Sequence, residues 1–279
     1  MLDPVPASPA AGVVTRISIA PVKGLGLVFP DAVQVARTGV VGDRRFAMLD
    51  RDGRLANGKR LGPLVRIRPE VTTDPDGTET LLLHLPDGSV VGGPVVLGDP
   101  VDAVFYGAER PARPVLGPYD EVLSGAAGQP LRLVRMTADG HGLDRVDDGA
   151  VTLLSQGALE AMAAAAGLDA PVDARRFRMT FTIAGVPAHA EDAWLRRPVR
   201  IGEALVRPMG NVGRCAVTTQ DPDTGIRSLD TLKLIAETRG HLPATEPLPF
   251  GVHAEVVRPG RVAVGDAVRT GETLAPEPA

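Results

Sequence analysis

The chain has 279 residues, and 30 basic against 34 acidic side chains give a formal net charge of −4. That balance, with only 3% aromatic residues, excludes the basic surface and stacking rings typical of nucleic-acid-binding proteins. One cysteine excludes an intrachain disulfide, a Cys-rich zinc site and an iron–sulfur cluster held by four cysteines. Residues 1–12 lack the features of a secretory signal, and no apolar run approaches the roughly 20 residues that span a bilayer. We therefore expect a cytoplasmic protein with no membrane or nucleic-acid partner.

Short strands separated by turn signals dominate the first part of the chain. Alternating or β-branched runs predict strands at residues 15–19, 32–36, 45–50, 65–67, 80–85, 89–91 and 94–97. Residues 108–116 contain two prolines and several charges, which predicts a linker or an exposed crossing. This density of turn signals indicates a closed or sandwiched all-β unit.

The periodicity changes after this segment. Residues 119–125 predict a short helix, and residues 155–166 a clearer one, with Ser155 as its N-cap and Gly167 as its end. Strands are predicted at 178–184, 199–201 and 204–207, and a last helix at 231–239. The fold class is therefore mainly β with some helix (α+β), with a β-rich N-terminal domain followed by a largely β-barrel domain.

The single cysteine, Cys215, lies between Arg214 and a turn sequence at residues 221–225, Asp-Pro-Asp-Thr-Gly. Residues 216–219 are β-prone, and residues 226–229 can return as a second strand, which would place Cys215 at the open end of a hairpin. If the guanidinium of Arg214 turns towards the sulfur, it favours the reactive thiolate. The alternative is a buried cysteine that acts only as a small apolar residue.

Several motifs in this order resemble the MOSC family, named after the C-terminal domain of molybdenum cofactor sulfurase. The main one is Arg214-Cys215 followed by Asp221-Pro222-x-Thr224-Gly225; many members have Phe-Arg-Pro-Asn where this chain has Phe177-Arg178-Met179-Thr180, and some have a serine at Gly24. The remaining motifs are Pro21-Val22-Lys23-Gly24, Gly42-Asp43-Arg44-Arg45-Phe46, Asn57-Gly58-Lys59-Arg60, Arg175-Arg176-Phe177-Arg178 and Val264-Gly265-Asp266-Ala267-Val268. The resemblance implies an N-terminal MOSC-type β-barrel domain at residues 13–116 and a MOSC β-barrel domain at residues 117–272.

The resemblance also implies a molybdenum–pterin cofactor, with Cys215 as the thiolate ligand of the metal and the catalytic residue. Guanidinium groups pair with phosphate in bidentate fashion, which suits a pterin that carries a phosphate. The residues expected to contact this cofactor are Lys23, Arg44, Arg45, Ser155, Arg178, Thr180 and Arg214. Asp223 or Asp266 would deliver protons or hold the pocket. The implied activity is reduction of small N-hydroxylated compounds, with electrons from an external electron-transfer protein.

Two other functions remain open. One is a carrier module that binds or transfers sulfur or molybdenum cofactor without turnover of its own. The other is a metal-free enzyme with Cys215 as nucleophile, which would need one of the five scattered histidines beside the thiol.

Overall fold

The computed structural model describes residues 10–56, 58–136 and 149–271. Asn57 and His141 lie outside the described residues. The strands of the described ranges are β1 Ala10–Ile17, β2 Ala32–Ala36, β3 Gly39–Val40, β4 Phe46–Leu49, β5 Arg68–Thr73, β6 Glu79–His84, β7 Val90–Pro94, β8 Val96–Leu97, β9 Val101–Phe105, β10 Ala108–Leu116, β11 Arg132–Met136, β12 Val151–Ser155, β13 Phe181–Ala184, β14 Val199–Ile201, β15 Ala204–Gly213, β16 Pro249–Arg258, β17 Gly260–Ala263 and β18 Ala267–Thr270. The α-helices are α1 Tyr119–Ala127, α2 Gln156–Ala166 and α3 Thr231–Arg239. Short 3₁₀ helices cover Gly62–Arg66, Ala174–Phe177, Ala190–Trp194 and Ala216–Thr219.

A closed barrel forms the centre of the C-terminal half, with the strand order β1-β13-β12-β16-β15-β14-β18. Its neighbours pair antiparallel except β12 and β13, which are parallel. The interior is packed mainly with β-branched side chains, whose shape fits a pleated surface. Closure removes the exposed sheet edges that would otherwise pair with other chains. The fold class predicted from the sequence, mainly β with some helix and a β-barrel domain, is confirmed.

The N-terminal half forms smaller sheets around its own core. One sheet has the order β4-β11-β10-β8 with β9 paired to β10, and a meander joins β5, β6 and β7. The sheets do not divide the chain at one point: β1 closes the barrel, β17 pairs with β2, and β11 joins the N-terminal sheet. The boundary between residues 116 and 117 stays a prediction.

Two predictions of local structure in the N-terminal half are wrong. Residues 65–67 were expected to be a strand, but Gly62–Arg66 is a 3₁₀ helix because Pro63 at its start fixes a helical φ and cannot donate to a sheet. Residues 108–116 were expected to be a linker, but they form the nine-residue strand β10. That strand changes partner along its length. Pro111 pairs with a residue of β9 and Pro114 with a residue of β11, so each proline pairs with a single neighbouring strand.

The three predicted helices are present. Helix α3 covers the predicted range, and the Asp230 side chain caps it by accepting a hydrogen bond from the Lys233 amide at 3.1 Å. Helix α2 ends at Gly167 in the left-handed conformation, as expected. Within the described residues, no helix has both the length and the apolar character needed to cross a membrane.

Candidate functional site

A cavity of about 410 Å³ lies between the N-terminal sheets and one end of the barrel. Its N-terminal wall comes from segments near residues 20–24, 44, 55–65 and 106. Its other wall comes from residues 149–152, 176–180 and 212–220, which surround strands β12, β13 and β15. Residues from distant parts of the sequence therefore converge on one space, and Cys215 is among them.

The cavity concentrates positive charge in a protein whose net charge is −4. No aspartate or glutamate is found among the described residues that line it. Like charges with low-dielectric walls focus the field and attract anions. The cationic lining residues are Lys23, Arg44, Lys59, Arg176, Arg178 and Arg214.

Cys215 is partly exposed and lies between the end of β15 at Gly213 and the next helical turn, in an extended conformation with φ −128° and ψ 174°. The prediction of a strand at residues 216–219 is wrong, because Ala216–Thr219 is a 3₁₀ helix. Two threonine hydroxyls close this turn. The Thr218 hydroxyl donates to the Cys215 carbonyl at 3.0 Å, and the Thr219 hydroxyl donates to the Ala216 carbonyl at 2.7 Å. Such local bonds compete with strand pairing, and an isolated bridge between Gln220 and Arg227 is present where the hairpin was expected.

The turn predicted at residues 221–225 is present and directly follows Gln220 of the cavity wall. The Asp221 carboxylate accepts hydrogen bonds from the amides of Asp223 and Thr224, both at 3.0 Å. Gly225 has a φ of +73°, and its backbone packs directly against that of Gly62. The Gln220 side chain donates to the Gly58 carbonyl at 3.2 Å, which joins this turn to the N-terminal wall.

Arg214 is directed towards backbone carbonyl groups. Its guanidinium donates to the Phe250 carbonyl at 2.9 Å and to the Phe177 carbonyl at 3.1 Å, and it lies over the Phe177 ring. It also contacts the Met179 sulfur at 2.7 Å. Met179, which stands where many family members have proline, is therefore part of the packing that holds Arg214 in place.

Three cavity residues other than glycine adopt the left-handed backbone conformation, with φ values of 50° for Arg44, 51° for Tyr106 and 53° for Arg178. This conformation is uncommon for residues with a Cβ and persists only where the surrounding structure enforces it. The Arg178 guanidinium donates to the Leu25 carbonyl at 2.9 Å. Arg44 pairs with Asp43, whose other oxygen accepts from the Ala20 amide at 2.7 Å. Such strain is typical of functional sites.

The other two predicted residues in the cavity are Lys23 and Thr180. The Lys23 ammonium lies 5.7 Å from the centre of the exposed Tyr106 ring, which is within range of a cation–π contact. Thr180 and Thr152 bond reciprocally: each hydroxyl accepts from the other residue's amide, at 3.1 and 2.8 Å. The two threonines therefore tie the start of β12 to the segment before β13.

Arg45 and Ser155, both predicted to contact the cofactor, do not line this cavity. The Arg45 side chain pairs with Glu79, which also binds Arg135 at 2.7 Å. Ser155 is fully buried, and its hydroxyl accepts from the His189 amide at 2.9 Å, so it does not cap α2 through its side chain. We leave both residues out of the proposed pocket.

The two predicted acidic candidates also lie elsewhere. Asp223 is held by both terminal nitrogens of Arg175, at 2.6 and 2.8 Å, and this contact lowers the pKa of its carboxyl. Asp266 accepts from the Ala263 amide at 2.8 Å and so closes the turn between β17 and β18. Neither lines the cavity.

Sequence reasoning missed six polar residues of the cavity's described lining: Lys59, Tyr106, Thr152, Arg176, Thr218 and Gln220. Lys59 and Arg176 lie within two of the motifs that resemble the MOSC family, so the sequence contained a signal that could have identified them. Arg176 donates to the Gln220 carbonyl at 2.7 Å and braces the turn after Cys215. Nothing in the local sequence marked Tyr106 or Thr152.

No histidine lines the cavity among the described residues. His189 packs edge-on against the Phe250 ring, with the two ring centroids 5.4 Å apart. Burial, with a smaller contribution from Arg239, lowers the pKa of His189 to about 4. A Cys-His pair, which a hydrolase would need, is therefore not formed in the described part of this site.

Comparison with known proteins agrees with the resemblance. The family model of the MOSC domain matches residues 137–269, and that of the MOSC N-terminal beta barrel domain matches residues 11–102. Mitochondrial amidoxime-reducing component 1 of Xenopus laevis is 26% identical, across 92% of this chain and 81% of that protein. The human protein of the same name is 35% identical, but over only 36% of this chain and 31% of its own length.

A third relative is the molybdenum cofactor sulfurase of Drosophila grimshawi, 29% identical over 79% of this chain and 30% of that protein. Among solved structures, the YUAD protein from Bacillus subtilis is similar with a TM-score of 0.43 and 11% identity, over 93% of this chain and 94% of that one. The two domain models together match most of the sequence. The chain therefore belongs to the MOSC family, and its relatives support a function related to the molybdenum cofactor.

Proposed function

We propose that this protein binds a molybdenum–pterin cofactor in the cationic cavity and reduces small N-hydroxylated compounds with electrons from a separate redox protein. The observation that carries the proposal is the meeting of the only thiol with six cationic side chains in one cavity whose described lining holds no carboxylate. The names of the amidoxime-reducing relatives support the reaction class.

The residues present fit such a cofactor. No group of three or more histidine, cysteine or carboxylate side chains able to hold a metal ion occurs among the described residues. A metal at Cys215 would therefore take most of its ligands from a non-protein group, as a dithiolene pterin provides. Lys23, Arg44 and Arg178 would bind the phosphate, because ammonium and guanidinium groups pair strongly with phosphate oxygens. The hydroxyls of Thr152 and Thr180 would supply neutral contacts.

When bound, such a molybdenum centre would supply two-electron redox chemistry of the oxygen-transfer type. The overall reaction breaks the N–O bond, so an N-hydroxylated compound, two electrons and two protons give the N–H compound and water. Cys215 would hold the metal through its thiolate, and a thiolate suits a redox-active transition metal and helps set its potential. The fixed positions of Arg176 and Arg214 keep the walls rigid while Cys215 stays partly exposed.

The first test compares wild type with Cys215→Ala, both purified from a host that makes the molybdenum cofactor. We expect near one molybdenum and one pterin per wild-type chain, and loss of the metal or of all amidoxime reduction in the variant. Arg132→Ala, at an exposed site outside the cavity, is the matched control and keeps both. Wild-type protein with neither molybdenum nor pterin would refute the proposal and favour thiol chemistry.

A carrier without turnover is the second candidate, since one relative bears the name molybdenum cofactor sulfurase and aligns over 79% of this chain. The same preparation separates the two functions. Wild type with full cofactor that reduces no amidoxime or hydroxylamine, even with a strong chemical electron donor, would identify a carrier.

A further inference from the structure

An arginine-rich groove of about 450 Å³ runs beside the cavity and shares a wall with it. The shared residues are Val65, Arg176, Arg178, Val217 and Gln220. The groove adds three arginines that the cavity lacks, Arg66, Arg68 and Arg175. Its two carboxylates, Asp221 and Asp223, are already occupied with turn amides and with Arg175.

The outer part of this groove is open and its charge is not neutralised. Arg66 and Arg68 are exposed, and their side chains form no ion pair within the described residues. Beside them, Phe29 is 47% exposed and packs under the Arg16 guanidinium, 5.6 Å from its ring centre. Arginine and an exposed aromatic ring are the residues enriched in protein interfaces.

This surface matters because the proposed reaction consumes electrons that have to come from another molecule. With one cysteine this chain cannot hold an iron–sulfur cluster of four thiolates. Each reduction of an N–O bond consumes two electrons, so a one-electron carrier must dock twice per turnover. A productive carrier has to approach the metal that Cys215 would hold, and the groove is separated from that cavity by a shared wall only.

We propose that the groove edge formed by Arg66, Arg68 and Phe29 is the docking surface for an acidic one-electron carrier protein. The inference rests on the proposed function. Electrostatic complementarity of this kind speeds encounter by about 10- to 1000-fold at low salt and fades with ionic strength. Electron-transfer encounters bury little surface, which agrees with a docking site formed by a few exposed side chains.

The test uses the double variant Arg66→Glu/Arg68→Glu as cofactor-loaded protein. The control is Arg132→Glu/Arg258→Glu, which makes the same charge change at exposed positions outside groove and cavity. Amidoxime reduction is driven in parallel by an acidic [2Fe–2S] ferredoxin, by an acidic flavodoxin and by the small cationic donor methyl viologen.

We expect the groove variant to lose about tenfold or more of the second-order rate with an acidic protein donor at low salt, with a flatter salt dependence. Its viologen-driven rate and its molybdenum content should stay at the wild-type level. An equal loss in both double variants, or protein donors that fail on wild type while viologen works, would overturn the docking surface and leave the reductase intact. Wild type inactive with every donor would instead count against the proposed function.

Discussion

The contact between Gly225 and Gly62 joins the turn after Cys215 to the N-terminal wall of the cavity. A Cβ on Gly225 would lie 2.0 Å from the carbonyl carbon and oxygen of Gly62, whereas an ordinary contact begins near 3.4 Å. These neighbours are backbone atoms and cannot rotate away. We therefore expect Gly225→Ala to separate the two turns or to destabilise the protein.

The expected loss of stability has a conformational and a steric contribution, and a matched control variant separates the two. Gly77 also ends an aspartate-proline turn at positive φ, +86° against +73° for Gly225, but a Cβ there meets nothing within 4 Å. Gly77→Ala therefore measures the conformational penalty alone, roughly 1–2 kcal/mol. Gly225→Ala adds the steric term, which for overpacking is about 1–3 kcal/mol.

Urea denaturation of both variants gives the free energy of unfolding by linear extrapolation. We expect Gly225→Ala to lose at least about 1 kcal/mol more than Gly77→Ala, and to purify with less molybdenum per chain because the cavity wall is displaced. Equal losses in the two variants, with full cofactor in both, would show that the close backbone contact does not hold the site together.

Two further predictions concern polar groups that are buried or half-buried. Burial raises the pKa of the Glu191 carboxyl, so its contribution to stability is present below the unfolded pKa near 4.5 and is lost as pH rises through the folded value. Glu191→Gln should therefore raise the free energy of unfolding by about 1–3 kcal/mol at pH 8 and change little near pH 4, as thermal melts across pH would show; a constant difference would contradict this. Thr152→Val and Thr180→Val should each cost about 1–3 kcal/mol, because each change leaves one backbone amide without its acceptor. The double variant should cost less than their sum, because the contact between the two hydroxyls at 3.1 Å is lost in either single variant. Single variants as stable as wild type in denaturant titrations would rule out the reciprocal bonds, and fully additive losses would show that the hydroxyl–hydroxyl contact contributes nothing.

The sequence predicted helices and most strands because their signals are local. Helix α3 has an aspartate cap and a glycine after its last residue, and strand β2 alternates strictly. The failures at residues 108–116 and 216–219 depended on partners that a local pattern cannot show. Two prolines are acceptable in β10 only because three strands share its edges. The 3₁₀ helix after Cys215 depends on two threonine hydroxyls that close the turn.

Most of the site residues that the motifs pointed to reach the cavity. The sequence does not show which way a side chain points, and the prediction failed where that direction decided the role. Lys23, Arg44, Arg178, Thr180, Arg214 and Cys215 all reach the cavity. Arg45 follows Arg44 directly, yet its side chain pairs with Glu79 elsewhere. These sequence neighbours differ because Arg44 is a turn residue in the left-handed conformation, with a φ of 50°, whereas Arg45 leads directly into strand β4.

The direction of the side chain also separates the arginines into two groups, which the composition of the chain cannot distinguish. Arg176 and Arg214 turn their guanidinium groups to backbone carbonyls and hold the walls, while Arg66 and Arg68 remain exposed at the groove edge. The cavity thus combines crowded positive charge with three strained backbone positions, both of which oppose folding. The closed barrel, with its apolar interior, lies beside the cavity and offsets that cost. The concentrated positive charge would in turn favour the binding of an anion large enough to contact both walls.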